Sequence, residues 1–112
     1  MEIGTTTAGP ATVLNLDGYL DSFSVNYLKD SFNKLFDKGI YKVIVNLTTV
    51  GFVDSAGLGQ LVSALRMCVH HNGNVVLVGT NESITDLLKI TKLDTVFKIY
   101  DTVEEATEAF VP

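Results

Sequence analysis

Val50-Gly51-Phe52-Val53-Asp54-Ser55-Ala56-Gly57-Leu58-Gly59 lies between two patterned segments of different period. Before it, Lys42-Val43-Ile44-Val45-Asn46-Leu47 is a short apolar run and reads as a buried strand. After it, Leu58, Leu61, Val62, Leu65 and Val69 recur at helical spacing, so an amphipathic helix follows. The chain thus goes from strand through a short loop to helix, with Ser55 at the helix start. In open α/β sheets such turns lie at the C-terminal edge of the strands, where these folds place their sites.

Asp54 and Ser55 are both good N-cap residues, because their side-chain oxygens accept from unpaired backbone N–H groups. One cap would be enough for the helix, yet two candidates stand side by side. Gly57 and Gly59 follow in the first turn, and each costs roughly 1 kcal/mol relative to Ala. They leave that turn bare and open to close approach. With Leu58, Leu61, Val62 and Leu65 facing inward, Ala56, Gly59, Gln60 and Ser63 face outward or flank, and Ser55 sits at the rim. The exposed start of the helix is therefore small and weakly polar, and a helix N-terminus tolerates an anion.

The run Phe52-Val53-Asp54-Ser55-Ala56-Gly57-Leu58-Gly59 resembles the signature of the bacterial anti-sigma factor antagonists, the single-domain members of the STAS family. Gly18-Tyr19-Leu20-Asp21 is similar to a second family element, a Gly-x-Leu-Asp turn before the first helix. The resemblance implies a STAS-like α/β fold over residues 1–112 as one domain, with the helices largely on one side of the sheet. It implies that unphosphorylated protein binds an anti-sigma factor serine kinase and so frees a sigma factor. That kinase would phosphorylate Ser55 with its own ATP and Mg²⁺, and a PP2C-type phosphatase would reverse the step. On this reading Asp21, Asp54, Ser55, Ala56, Gly57, Gly59 and Ser63 form the partner surface, and the chain needs no cofactor or metal of its own. A STAS subunit of a larger stress-signalling or lipid-transport assembly is the alternative within the fold.

Outward from the centre, Glu2 to Thr7 and Thr12 to Asp17 read as strands of a hairpin around a Gly9-Pro10 turn. Asp21 or Ser22 would cap a helix whose buried face is Leu28, Phe32, Leu35 and Phe36, ending at Gly39. Past Asn72-Gly73, Asn74 to Gly79 is another buried strand. Thr80 or Asn81 then caps a helix bearing Ile84, Leu87 and Leu88. Thr95 to Tyr100 reads as a last, edge strand. Thr102-Val103-Glu104-Glu105 is a capping box opening a helix through Ala106, Ala109 and Phe110. The order β-β-α-β-α-β-α-β-α predicts a mixed, mostly parallel sheet of four to five strands with about four helices. Both the strand near Asp17 and the strand near Leu47 then finish on one edge, which places Asp21 and Ser55 on one rim.

The 112 residues carry 46% hydrophobic and 19% charged side chains, which fits a globular domain with its own core. The net charge of −5 and a single arginine, Arg66, argue against nucleic acid, whose binding relies on Lys and Arg. They suit a basic partner patch instead. Cys68 is the one cysteine, and its place on the helix predicts a buried, reduced thiol. No stretch resembles a signal peptide or a membrane span, so a cytoplasmic protein is expected.

Ser55 as a hydrolase nucleophile would need a base within reach. The histidines, His70 and His71, stand at the other end of the same helix, roughly 22 Å away at the α-helical rise. Val53 also occupies the place of the first Gly of a Gly-x-Ser-x-Gly elbow. The glycines do not fit a nucleotide fingerprint. Nothing in the spacing of Asp17, Asp21 and Asp54 fixes an octahedral metal site.

Overall fold

A computed structural model describes residues 1–111; Pro112 lies outside the described residues. Strands β1 (Glu2–Ala8) and β2 (Ala11–Leu20) form the expected hairpin, antiparallel from Glu2↔Asp17 to Ala8↔Ala11. Gly9 has φ +58 and precedes Pro10, the geometry of a type II′ turn. Helix α1 (Val25–Asp37) leads to β3 (Lys42–Val53), α2 (Ser55–His70) to β4 (Asn74–Val78), and α3 (Glu82–Ile90) to β5 (Ile99–Tyr100). Helix α4 (Val103–Thr107) follows.

The sheet order is β1-β2-β3-β4-β5, and the strands from β2 onward are parallel. Each crossover moves one place in the same direction. Right-handed crossovers that always advance the same way put their helices on one face. The main core accordingly joins Leu14, Val45 and Leu77 of the sheet with Phe32 of α1, Leu61 of α2 and Leu88 of α3. Helix α4 completes no crossover and is free to fold onto the opposite face. There Ala106 and Phe110 cover Val13, Ile44 and Val76.

Several boundaries differ from the sequence reading, each for a local reason. The expected loop at Val50–Val53 is strand, since β3 runs on to Val53 and pairs there with Leu20. Likewise β2 extends to Leu20, so Gly18 lies within a strand. Gly18 and Gly51 look like turn residues but sit beside shifts in the β2–β3 register. Glycine inside a strand commonly marks such a bulge. Neither Asp21 nor Ser22 is the N-cap of α1; that position is Ser24. On α2, Ala64 and Cys68 join the buried face while Val69 is exposed and Val62 half-buried. At 100° per residue Val69 is carried past the stripe that Cys68 completes. The last strand is only Ile99–Tyr100, because Leu93–Thr95 is a 3₁₀ turn that delivers Phe97 into the core. The helix predicted through Phe110 changes to a 3₁₀ turn at Glu108–Phe110.

Candidate functional site

The site grows from the paired ends of β2 and β3. The Asp54 N–H donates to the Leu20 carbonyl at 3.1 Å, so the ladder closes at the residue where α2 begins. Asp54 is the N-cap of α2, and its Oδ1 accepts from the Gly57 N–H at 3.0 Å. Its Oδ2 accepts from the Ser22 N–H at 3.2 Å. One carboxylate therefore caps α2 and fastens the β2–α1 turn beside it. Each oxygen of the Asp54 carboxylate thus accepts from a backbone N–H.

Asp21 holds the same turn from within. Its Oδ1 accepts from the Phe23 N–H at 3.0 Å and the Ser24 N–H at 3.1 Å. This is an Asx turn in place of the helix cap expected from sequence. The Ser24 hydroxyl in turn donates to the Tyr19 carbonyl at 2.5 Å. Oδ2 of Asp21 takes neither of the two backbone bonds.

Because Asp54 does the capping, the Ser55 hydroxyl is left out of the cap and Ser55 is exposed. The N–H groups of Ser55 and Ala56 have no acceptor among the described residues, as the first donors of a helix commonly do not. Both N–H groups and the helix dipole favour an added anion at this point, while the neighbouring Asp54 carboxylate opposes it. Gly59 and Ser63 lie one and two helical turns beyond Ser55, and both are exposed; Ala56 is half-buried.

Gly57 departs from its expected place on the bare surface. It is buried, and a Cβ built there would lie 2.7 Å from both the carbonyl oxygen and Cγ of Leu20. Its missing side chain lets α2 press onto the end of β2. At Gly59 an added Cβ would meet nothing within 4 Å. Two glycines separated only by Leu58 thus do opposite things. Sequence cannot separate them, because the separating contact belongs to a distant strand.

The structure adds aromatic residues that the motif reading missed. Phe23 is 92% exposed in the turn beside Ser22, and Phe52 is half-exposed just before the helix. Tyr19, also exposed, lies against Gly51, where an added Cβ would be 3.0 Å from its Cε1. The signal for Phe23 was available in the sequence: it falls outside the periodicity of Leu28, Phe32 and Leu35.

His70 and His71 stand at the far end of α2, where the His71 ring stacks on Tyr41 with centroids 4.0 Å apart. A hollow of about 270 Å³ beside them is lined by Pro10, Thr12, Tyr41 and Lys42, at the opposite edge of the sheet from Ser55. Among the described residues no His, Cys, Asp and Glu group could hold a metal ion, and no helix is long and apolar enough to cross a membrane.

Cys68 is buried as expected, and burial pushes its thiol from 9.0 up to about 12. The folded chain therefore holds this proton where the unfolded chain has released it. Stability should be unaffected by this group below pH 9.0 and should fall as pH rises from there toward 12. Urea melts of wild type and Cys68→Ala across that range check the sign, since the variant lacks the thiol's part of the slope. A Cys68→Ala slope equal to that of the wild type would refute it.

Known proteins extend the picture. The chain is similar to TM1081 of Thermotoga maritima, with 30% identity and a TM-score of 0.90 over 96% of this chain and 92% of that one. It is 29% identical over 104 residues to the anti-sigma-B factor antagonist of Staphylococcus epidermidis, covering 93% of this chain and 96% of the relative. The Bacillus cell fate determinant SpoIIAA, solved in its phosphorylated form, shares the fold with a TM-score of 0.75 and 20% identity, over 98% of this chain and 100% of that one. The family model described as the STAS domain matches residues 2–106, and the chain belongs to the STAS domain family.

Proposed function

We propose that the protein is an anti-sigma factor antagonist controlled by phosphorylation of Ser55. It acts as one domain. Unphosphorylated, it binds an anti-sigma factor serine kinase through the start of α2 and the Asp21 turn, and a sigma factor is freed. The kinase then phosphorylates Ser55, and a PP2C-type phosphatase restores the hydroxyl. The chain is a ligand and a substrate with no catalysis of its own.

One observation carries the reading. Asp54 alone caps α2 and ties down the neighbouring turn, so Ser55 is exposed and unused by the fold. The name of the Staphylococcus relative and the Asp-Ser-x-Gly-Leu-Gly run support it. The experiment is incubation with the anti-sigma kinases of the source and ATP, followed by mapping of the phosphosite. Phosphate at Ser55 is the expected result; phosphate elsewhere, or none with every kinase, defeats the proposal.

Asp21 separates partner contact from turn support. Asp21→Asn keeps an Oδ1 that accepts from Phe23 and Ser24, so stability should stay within about 0.5 kcal/mol of wild type. Removing the charge should weaken binding of a basic partner by several-fold, on the order of 1 kcal/mol. A urea melt and a titration on the same protein decide it. Unchanged affinity would leave Asp21 with a structural role alone.

A further inference from the structure

Beside the end of β3 runs an open groove of about 620 Å³ that the Ser55 surface does not use. Phe52 and Val53 line it from the strand; Glu82, Asp86, Leu87 and Ile90 line it from α3. The three α3 positions 82, 86 and 90 recur every four residues and share a helix face. Ile84 and Leu88 face the core instead. A single exposed apolar residue is ordinary. Here Ile90, 80% exposed, converges with Phe52 and Leu87 on one groove. Both ionised groups of its lining are carboxylates, and no Lys or Arg lines it. Glu82 suits the N-terminal turn of its own helix. Asp86 has no such explanation, and Asp is a poor residue for a helix interior.

We propose that this groove receives a basic amphipathic segment of a partner protein. Its apolar side chain packs among Phe52, Leu87 and Ile90, and its Lys or Arg lies against Glu82 and Asp86. The two carboxylates disfavour nucleic acid and anionic lipid, whose phosphates they repel. A second copy of this chain, with net charge −5, is disfavoured by the same sign of charge. Val53 leads directly into Asp54 and Ser55, so a protein seated at the start of α2 has the groove within reach. The groove itself does not depend on phosphorylation, and its occupant is defined by charge and shape alone.

The test uses a defined probe and needs no anti-sigma factor. The isotope-labelled full chain is titrated with a short helical peptide of repeated Lys-Leu-Leu-Lys and followed by amide NMR. Shifts should centre on Phe52, Val53, Glu82, Asp86 and Ile90, and binding should weaken as salt is raised. A peptide with Glu in place of Lys should give no shifts. The double variant Glu82→Gln/Asp86→Asn should lose about tenfold in affinity, and Ile90→Ser should lose affinity with salt dependence kept. These side chains are exposed or at the groove edge, so a wild-type spectrum verifies that each variant folds. Shifts centred elsewhere, no shifts, or affinities untouched by the substitutions would overturn the proposal. So would groove shifts that depend on protein concentration without peptide, which would assign the groove to a second copy.

Discussion

Gly57→Ala should cost about 2–3 kcal/mol of stability, whereas Gly59→Ala should leave the fold as stable or add up to about 1 kcal/mol. Helix propensity alone favours Ala at both positions, so opposite signs come from packing. At Gly57 the new methyl would meet the Leu20 carbonyl and Cγ, each at 2.7 Å. The carbonyl cannot yield cheaply, because it accepts from the Asp54 N–H that closes the β2–β3 ladder. Relief would require α2 to move away from the sheet, together with the Asp54 cap and its hold on Ser22. At Gly59 the methyl enters open space. Gly59→Leu should fold too, yet, on the proposed partner surface, bind the kinase at least about tenfold more weakly, because a side chain would stand where that reading puts the partner backbone. Urea melts of the four proteins and one titration series decide the matter. Equal destabilisation by both Ala variants would show that Gly59 also serves internal packing.

Phosphorylation of Ser55 should weaken kinase binding by about a hundredfold or more while scarcely moving the melting temperature. An unpaired charge buried at an interface costs about 3–5 kcal/mol, more than enough for that ratio. The fold is spared because Ser55 is exposed and its hydroxyl caps nothing. The free N–H groups of Ser55 and Ala56 offset the repulsion from Asp54. Ser55→Ala should bind the kinase and accept no phosphate. Ser55→Asp should fall between, since one carboxylate carries less charge and fewer acceptor oxygens than a phosphate. Circular dichroism, thermal melting and calorimetric titration of the modified protein test both halves. Loss of helix on phosphorylation would refute the surface switch, and full phosphorylation of Ser55→Ala would move the site.

Much of the architecture was written in local patterns. The alternation of strand and helix, the buried runs Val43–Val45 and Val75–Val78, and the faces of α1 and α3 follow from periods that any window of the sequence displays. Thr102 caps its helix as predicted, accepting from the Glu105 N–H, and of the two candidates Thr80 and Asn81 it is Asn81 that caps α3, accepting from the Ile84 N–H. Errors gathered at glycines and at the short final strand. Gly18 and Gly51 signal a turn and a bulge equally, and only the pairing of β2 with β3 tells which.

The strand–helix order, the sheet that follows from it, and a serine at the rim of α2 are legible from local patterns. These depend on residues near one another in the chain, whose spacing fixes which face each one takes. Packing between elements settled which of Gly57 and Gly59 is bare, and that the Asp54 carboxylate also fastens the turn at Ser22. It alone brought Phe52 against α3 to form an acidic-rimmed groove. The reason is physical: each of these outcomes rests on a contact across a crossover. Leu20 meets Gly57, Asp54 meets Ser22, and β3 meets α3 in the packed fold, between residues far apart in the chain. No local period encodes the distance between two elements once they are packed.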